Sequence, residues 1–327
     1  MRKRNSAKQI AFFCVILILV LVMLYSGLQI LESTVFHSGQ AQEQTYSSKT
    51  LTREDGDYFP RQDITVMMVV GIDQDGPVVD SGAYNNPGAA DVVMLLIFDE
   101  KEETYSVLYL NRDTMLEMPV LGIGGKPAGA MYGQLALSHT YGSGLEDSCE
   151  NVKRTVSGFL YGIQIDHYVS MNMDAIAILN DAVGGVTVMV VDDFSEVDAT
   201  IPKGRVTLKS QQALHFLRTR KGVGDQLNLS RIERQKVYAE SFAKAFGEKV
   251  QQDDAFAISV YEQISPYIVT DCTVNALTGM MDRYGEYTLK EIVSPEGENV
   301  VGEEYMEYNV DEEKLDALIL RLFYAPK

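Results

Sequence analysis

Residues 92–110 read VVMLLIF-DEKEET-YSVLYL. Two apolar runs, Val92–Phe98 and Tyr105–Leu110, flank a charged stretch, Asp99-Glu100-Lys101-Glu102-Glu103. Continuous apolar runs of this length suit strands buried on both faces. The charged stretch is an exposed hairpin turn, so the two strands are antiparallel neighbours. Upstream, Ile64–Val70 (ITVMMVV) is a third run of the same kind, ending at Gly71. Gln74–Ala89 is rich in Gly, Pro, Asn and Asp and reads as a loop. Met118–Gly129, rich in Gly and Pro, reads as a mobile loop.

Further along, the apolar period lengthens. Leu145–Leu160 has helical spacing through Val152, Val156, Phe159 and Leu160. Asp166–Met171 is strand-like. Met173–Val183 is helical and ends at Gly184-Gly185. Val186–Val191 is a strand, and Gln211–Leu217 starts another helix. Ser230 with Glu233 has the form of a capping box, predicting a helix from there to about Lys249. Ala255–Ile264, Val274–Met281 and Glu312–Leu322 are helical in period. Strands alternating with helices predict an α/β three-layer sandwich around one central sheet. The direct hairpin makes that sheet mixed.

The N-terminus predicts a location. Arg2, Lys3, Arg4 and Lys8 precede an uncharged stretch from Gln9 to Ile30. About 20 apolar residues cross the hydrocarbon core as a helix, and flanking basic residues hold their end in the cytoplasm. The stretch is longer than the apolar region of a cleaved signal peptide. The expected organisation is a cytoplasmic segment at 1–8, a single-pass signal-anchor at 9–31, a polar stalk at 32–62 and an external domain at 63–327. Cys149 and Cys272 would then sit where a disulfide persists, and they are expected to pair. Cys14 falls in the anchor.

The formal net charge is -18. Nucleic-acid binders carry broad basic faces, so this composition speaks against nucleic acid. Yet residues 218–236 hold six of the 28 Lys+Arg against two acids. A basic cluster in an acidic chain is suited to a concentrated anion, and arginine's planar fork suits phosphate oxygens. Three more charged motifs fall at strand ends, where open α/β sheets bind ligands. They are Gly71-Ile72-Asp73, Ala90-Asp91-Val92 and Asn111-Arg112-Asp113-Thr114. Two carboxylates at one spot suit Mg²⁺ shared with phosphate oxygens. The plain alternatives are turn and strand-end aspartates, a structural Arg–Asp pair, and solvated charges on helix ends. For Arg234 the alternative is a solvated helix face. Arg218 and Arg220 converge only if the helix ends near Thr219, because residues two apart on a helix diverge.

Together these motifs resemble the LytR-CpsA-Psr family of bacterial envelope proteins. The resemblance runs from about Val66 to Phe246. It adds Tyr161-Gly162-Ile163-Gln164-Ile165-Asp166-His167-Tyr168, Leu179-Asn180-Asp181-Ala182-Val183-Gly184-Gly185-Val186, Gln212-Ala213-Leu214 leading to Arg218-Thr219-Arg220, and Arg231-Ile232-Glu233-Arg234-Gln235. It implies a membrane-bound, Mg²⁺-dependent phosphotransferase of cell wall assembly. Such an enzyme moves a glycopolymer from a polyprenyl-pyrophosphate carrier to peptidoglycan, forming a phosphodiester. Asp73 and Asp91 would hold Mg²⁺, with Asp91 helping to activate the acceptor hydroxyl. Arg112, Arg218, Arg220 and Arg231 would grip the pyrophosphate, Gln235 would orient one of them, and Arg112 and Arg220 would share in catalysis. Two positions depart from the family pattern. Ala89-Ala90 stands where Arg-Ser is common, and Asn228 where an aspartate is common, with Asp225 the nearest acid. A pyrophosphate hydrolase acting on lipid-linked sugars, using water as acceptor, remains an alternative at the same site. A non-catalytic polymer- or lipid-binding module is another.

Overall fold

The computed structural model describes residues 50–54, 56–122, 125–219, 223, 228–253, 255–302 and 305–326, with some helical positions described by backbone alone. The expected anchor at 9–31 lies outside them. Among the described residues no helix is long and apolar enough to cross a membrane.

The strands are β1 (Leu51–Arg53), β2 (Gly56–Pro60), β3 (Ile64–Asp73), β4 (Ala89–Asp99), β5 (Thr104–Leu110), β6 (Met115–Leu121), β7 (Pro127–Gln134) and β8 (His167–Asn172). They continue as β9 (Val186–Val190), β10 (Gly204–Leu208), β11 (Ile268–Thr270), β12 (Thr288–Val293), β13 (Gly297–Val301), β14 (Met306–Val310) and β15 (Tyr324–Pro326). The helices are α1 (Glu146–Phe159), α2 (Asp174–Ala182), α3 (Gln211–Arg218), α4 (Asn228–Gln252), α5 (Phe256–Ile264), α6 (Val274–Tyr284) and α7 (Glu312–Phe323).

Six strands form the central sheet in the order β11-β8-β3-β4-β5-β12. β4 runs antiparallel to both of its neighbours, β3 and β5, the second pairing being the 92–110 hairpin. β8 joins β3 in parallel and β12 joins β5 in parallel, so the sheet is mixed. Because side chains alternate across a strand, the apolar runs feed two layers. Met67 and Val69 of β3 and Val92, Met94, Leu96 and Phe98 of β4 pack with α2 through α6. Val66, Met68, Val70, Val93, Leu95 and Ile97 pack on the other face with α1, α7 and the β6–β7 hairpin. The result is an α/β sandwich. Burying each such side chain contributes roughly 1.5–3 kcal/mol, which is why runs hydrophobic on both faces take the middle of the sheet.

Four expectations are corrected. The stalk expected at 32–62 does not include 51–60, since β1 and β2 form a three-stranded sheet with β15, and its residues 32–49 lie outside the described ones. The loop expected at Met118–Gly129 is largely the β6–β7 hairpin. Its glycines and prolines hide a two-residue period in which Leu116 and Met118 are buried; a register shift between Val120 and Leu121 then moves Leu121 inward. α4 starts at Asn228, two residues before the Ser230 of the expected capping box. Cys149 and Cys272 are free, buried thiols. They belong to core layers on opposite faces of the sheet, and each sulfur has its own polar neighbour. Cys149 Sγ lies 3.2 Å from Ser170 Oγ and Cys272 Sγ 3.6 Å from Asp271 Oδ1.

Candidate active site

Asp73 is the last residue of β3, and Asp91 lies near the start of its antiparallel neighbour β4. Gly71 faces Val92 and Ile72 faces Ala90, so Asp91 is the extra residue of a β-bulge. The packing shows the same shift. From 92 to 98 the even-numbered residues of β4 face the α2–α6 layer, but Ala90 lies in the opposite one. A bulge re-aims the side chain at the point of insertion, and here that side chain is a carboxylate. Arg112 follows β5, whose Leu110 pairs with Val93. Its Nη1 donates to Asp91 Oδ1. Arg218 ends α3, because Thr219 is extended, and its Nη2 lies 3.2 Å from Asp73 Oδ1. Two acids and two arginines from four elements thus meet at one end of the sheet.

Arg112 is held by a local turn. Asp113 N donates to Asn111 Oδ1 at 3.0 Å and Thr114 N to Asn111 O at 3.0 Å. A short 3-10 turn (Leu135–His139) clamps the same segment, with Leu135 N on Thr114 O and Ala136 N on Arg112 O. Gln134 Nε2 fixes Asp113 Oδ1 at 2.9 Å. The guanidinium also stands 3.4 Å from Asp113 Oδ1. Burial works against its charge, and the carboxylates of Asp91, Asp113 and Asp73 outweigh that effect.

The approach to β4 is equally fixed. Buried Asn86 donates from Nδ2 to His139 O at 2.8 Å and Gly142 O at 3.0 Å, and its Oδ1 accepts from Gly88 N at 2.8 Å. His139 Nδ1 lies 2.7 Å from Gly88 O. A Cβ at Gly88 would come within 2.7 Å of Ile72 Cγ2, so glycine permits this approach. Asn86 and His139 were not among the residues singled out from sequence. Both bond to Gly88, the residue before β4, and so fix where that strand begins.

The Asp91 carboxyl is pushed up to about 6, first by burial and further by the Asp73 charge, against the pull of Arg112. Two carboxylates close enough to repel one another, with a second oxygen each, form an oxygen-only donor set. That set fits Mg²⁺, and a bound cation would relieve the repulsion. The buried Ala90 side chain packs in the core, so the position where the family often has a polar residue offers no phosphate contact here.

Burial holds His139 down, from 6.5 to about 4. The unfolded chain therefore binds this proton more readily than the folded one. The stabilising contribution is complete above about pH 6.5 and is lost as pH falls toward 4, up to roughly 3 kcal/mol. Asp91, raised rather than lowered, has the opposite slope. The expected result is thus a difference: in denaturant melts between pH 7.5 and 5, His139→Gln loses less stability than the wild type. Parallel curves would mean that His139 is not buried neutral.

Arg234 is buried rather than a solvated charge. Its Nε donates to Phe216 O at 3.0 Å, its Nη2 to Thr219 O, and its Nη1 reaches Asp192 Oδ2 at 2.6 Å. It ties off the end of α3 that presents Arg218. Removing the guanidinium leaves a carboxylate and two carbonyls without their donor, which typically costs about 3–5 kcal/mol. Arg234→Met is expected to lose that much in chemical denaturation; a loss below about 1 kcal/mol would return Arg234 to the solvated class.

Arg220 and Asp225 lie outside the described residues, as do the side chains of Asn228, Arg231 and Gln235. The backbone places the last three on the first turns of α4. Away from this site, the described residues bring together one further group of ligand-type side chains, His167, Asp271 and Cys272.

A model of the LytR_cpsA_psr family matches residues 27–322. Among curated proteins, the chain is 29% identical over 207 residues to the polyisoprenyl-teichoic acid–peptidoglycan teichoic acid transferase TagU of Halalkalibacterium halodurans, covering 63% of this chain and 62% of the relative. The protein of that name from Oceanobacillus iheyensis is 25% identical over 235 residues, 68% of this chain and 64% of the relative. The matched stretch spans less than two thirds of either relative. Among solved structures, "TagT bound to LIIa-WTA" superposes with a TM-score of 0.55 at 20% identity, over 88% of this chain and 98% of that one. At that identity the likeness is one of fold.

Proposed function

The chain belongs to the LytR_cpsA_psr family, and on that footing we propose that it is a Mg²⁺-dependent phosphotransferase that joins a glycopolymer to peptidoglycan. The donor is a polyprenyl-pyrophosphate-linked polymer of teichoic acid or polysaccharide type, and the acceptor is a sugar hydroxyl of the wall. Names of the curated relatives point to teichoic acid. The observation that carries the reading is the Asp91–Arg112 pair beside Asp73 and Arg218. A buried base and two planar cations at a sheet end are what transfer from a pyrophosphate requires.

Phosphoryl transfer depends on positioning and charge neutralisation more than on covalent chemistry. Arg112 and Arg218 bind and orient the pyrophosphate oxygens. Arg220 and Arg231 join them, and Gln235 orients one, in the same reading. Asp91 accepts the proton of the acceptor hydroxyl. The hydroxyl oxygen bonds to the sugar-linked phosphorus, the bond to the bridging oxygen breaks, and polyprenyl phosphate leaves. Asp73 and Asp91 would hold Mg²⁺, which neutralises phosphate charge when bound. The anchor at 9–31 belongs to this proposal too: it would keep the domain outside the cell membrane, beside the lipid carrier.

Incubation of the chain with Mg²⁺, a lipid-pyrophosphate oligosaccharide and peptidoglycan strands tests the reading. Label attached to glycan is the expected product. Free phosphorylated sugar alone would make the protein a hydrolase, and unchanged donor would make it a binding module.

A further inference from the structure

We propose that His167, Asp271 and Cys272 form a second metal site, of zinc type, that clips the edge strand β11 to the central sheet. The site is distinct from the carboxylate–arginine cluster. His167 opens β8 and pairs with Met67 near the start of β3, whereas Asp73 closes β3. Six residues of strand separate the two levels, about 20 Å at the usual rise. β11 runs antiparallel to β8, with Thr270 opposite Val169. The two residues that follow β11, Asp271 and Cys272, are thereby brought alongside His167.

The spacing is that of ligands around one ion. His167 Nδ1 lies 3.7 Å from Asp271 Oδ1, and Cys272 Sγ lies 3.6 Å from the same oxygen. The three donor atoms fall within 4.8 Å of one another. Tetrahedral zinc, with bonds of 2.0–2.3 Å, sets its ligands about 3.3–3.8 Å apart. At 3.7 Å the imidazole and carboxylate are too far apart for a good hydrogen bond, so the pair gains little from each other alone. One nitrogen, one oxygen and one sulfur make a borderline-soft set, which suits zinc and not Mg²⁺.

The surroundings hold the ligands in place. Tyr168 N donates to Asp271 Oδ1 at 2.9 Å, and Thr270 Oγ1 accepts from Cys272 N at 3.1 Å. That hydroxyl in turn donates to Tyr168 O at 2.6 Å. Contacts of this kind orient ligands in metal sites. Lys153 Nζ stands 3.8 Å from Asp271 Oδ2, the other oxygen of the same carboxylate. Its charge weakens cation binding and sets the competing state, in which Lys153 alone balances Asp271. His167 and Asp271 keep 35% and 25% of their side chains accessible, so a fourth position is open to water.

What the ion would secure is a weak link. β11 has three residues and stands at the sheet edge, between α5 and α6. A metal bridge from β8 to the β11–α6 junction would fix that crossing without touching the Asp91 site.

The experiment uses the full chain, dialysed against buffered zinc and assayed for bound metal, with cobalt as a spectroscopic probe. The expected result is one zinc per chain, lost in both Cys272→Ser and His167→Ala and kept in Asp73→Asn. Cobalt should give tetrahedral ligand-field bands and a thiolate charge-transfer band. Zinc at a hundred times its dissociation constant should raise the melting temperature by roughly 5 °C, and by nothing in His167→Ala. His167 is partly accessible, so this variant keeps the test valid if Cys272→Ser folds poorly. Absence of zinc, retention in both ligand variants, loss in Asp73→Asn, or a cobalt spectrum without the charge-transfer band would each overturn the site.

Discussion

Asp91→Asn is expected to yield a protein at least as stable as the wild type and nearly devoid of transfer activity. The two effects have one cause. Burial raises the Asp91 carboxyl to about 6, so at neutral pH the folded state carries an ionised group that its surroundings disfavour. The sign follows directly: an acid whose folded pKa is raised costs stability above that pKa, and the cost fades as pH falls toward 3.8. Asparagine resembles the neutral form and still accepts a bond from Arg112. In chelator at pH 7.5 the variant should gain about 1–3 kcal/mol. Loss of a positioned base costs roughly 10²–10⁴ in rate, and here a metal ligand is lost with it. Thermal melts and transfer assays on the same preparation provide the measurement. A variant that is both destabilised and active would remove Asp91 from the chemistry.

Arg112→Lys is expected to fold normally and to lose about 10²–10³ in transfer rate, roughly 3–4 kcal/mol of transition-state stabilisation. The guanidinium spans Asp91 and Asp113, and in the proposed reaction it also binds the pyrophosphate. An ammonium is a point charge and cannot fill both roles. Arg154→Lys on α1 is the control and should behave as wild type. If Arg112 were only a structural partner of Asp91, the lysine variant would melt earlier and keep near-normal activity per folded molecule. Measuring both quantities on each variant separates these outcomes.

The positions of Asp73, Asp91, Arg112 and Arg218 were legible in the sequence because apolar runs mark strand ends and Gly-rich segments mark where helices stop. The bulge at Asp91 was not legible. It is a property of register, set by how β4 lies against β3, and no residue of β4 announces it. Arg234 looks like its neighbour Arg231 in sequence; only the packing of α4 against the end of α3 makes it a buried tie. Asn86 reads as an ordinary residue of the 74–89 loop, and nothing in the sequence around His139 marks it, until the chain closes around Gly88. The cluster of His167, Asp271 and Cys272 depends on strand pairing between distant segments, which spacing rules do not reach. The hairpin at 115–134 was masked by composition, since glycine and proline outweighed a short alternating pattern.

The small sheet of β1, β2 and β15 has a mechanical consequence. β2 is the middle strand, with Tyr58 facing Leu51 on one side and Pro326 on the other, and Pro60 facing Tyr324. A pull entering at residue 50 first peels β1 from β2, one rung at a time, with the Arg53–Asp316 ion pair as its last hold. The load then passes along β2 against β15, whose far end is fixed to α7, and that pair is stressed in shear with its rungs loaded together. Tension on the leading segment is thus absorbed in two stages of rising resistance before it reaches β3, the strand that ends in Asp73.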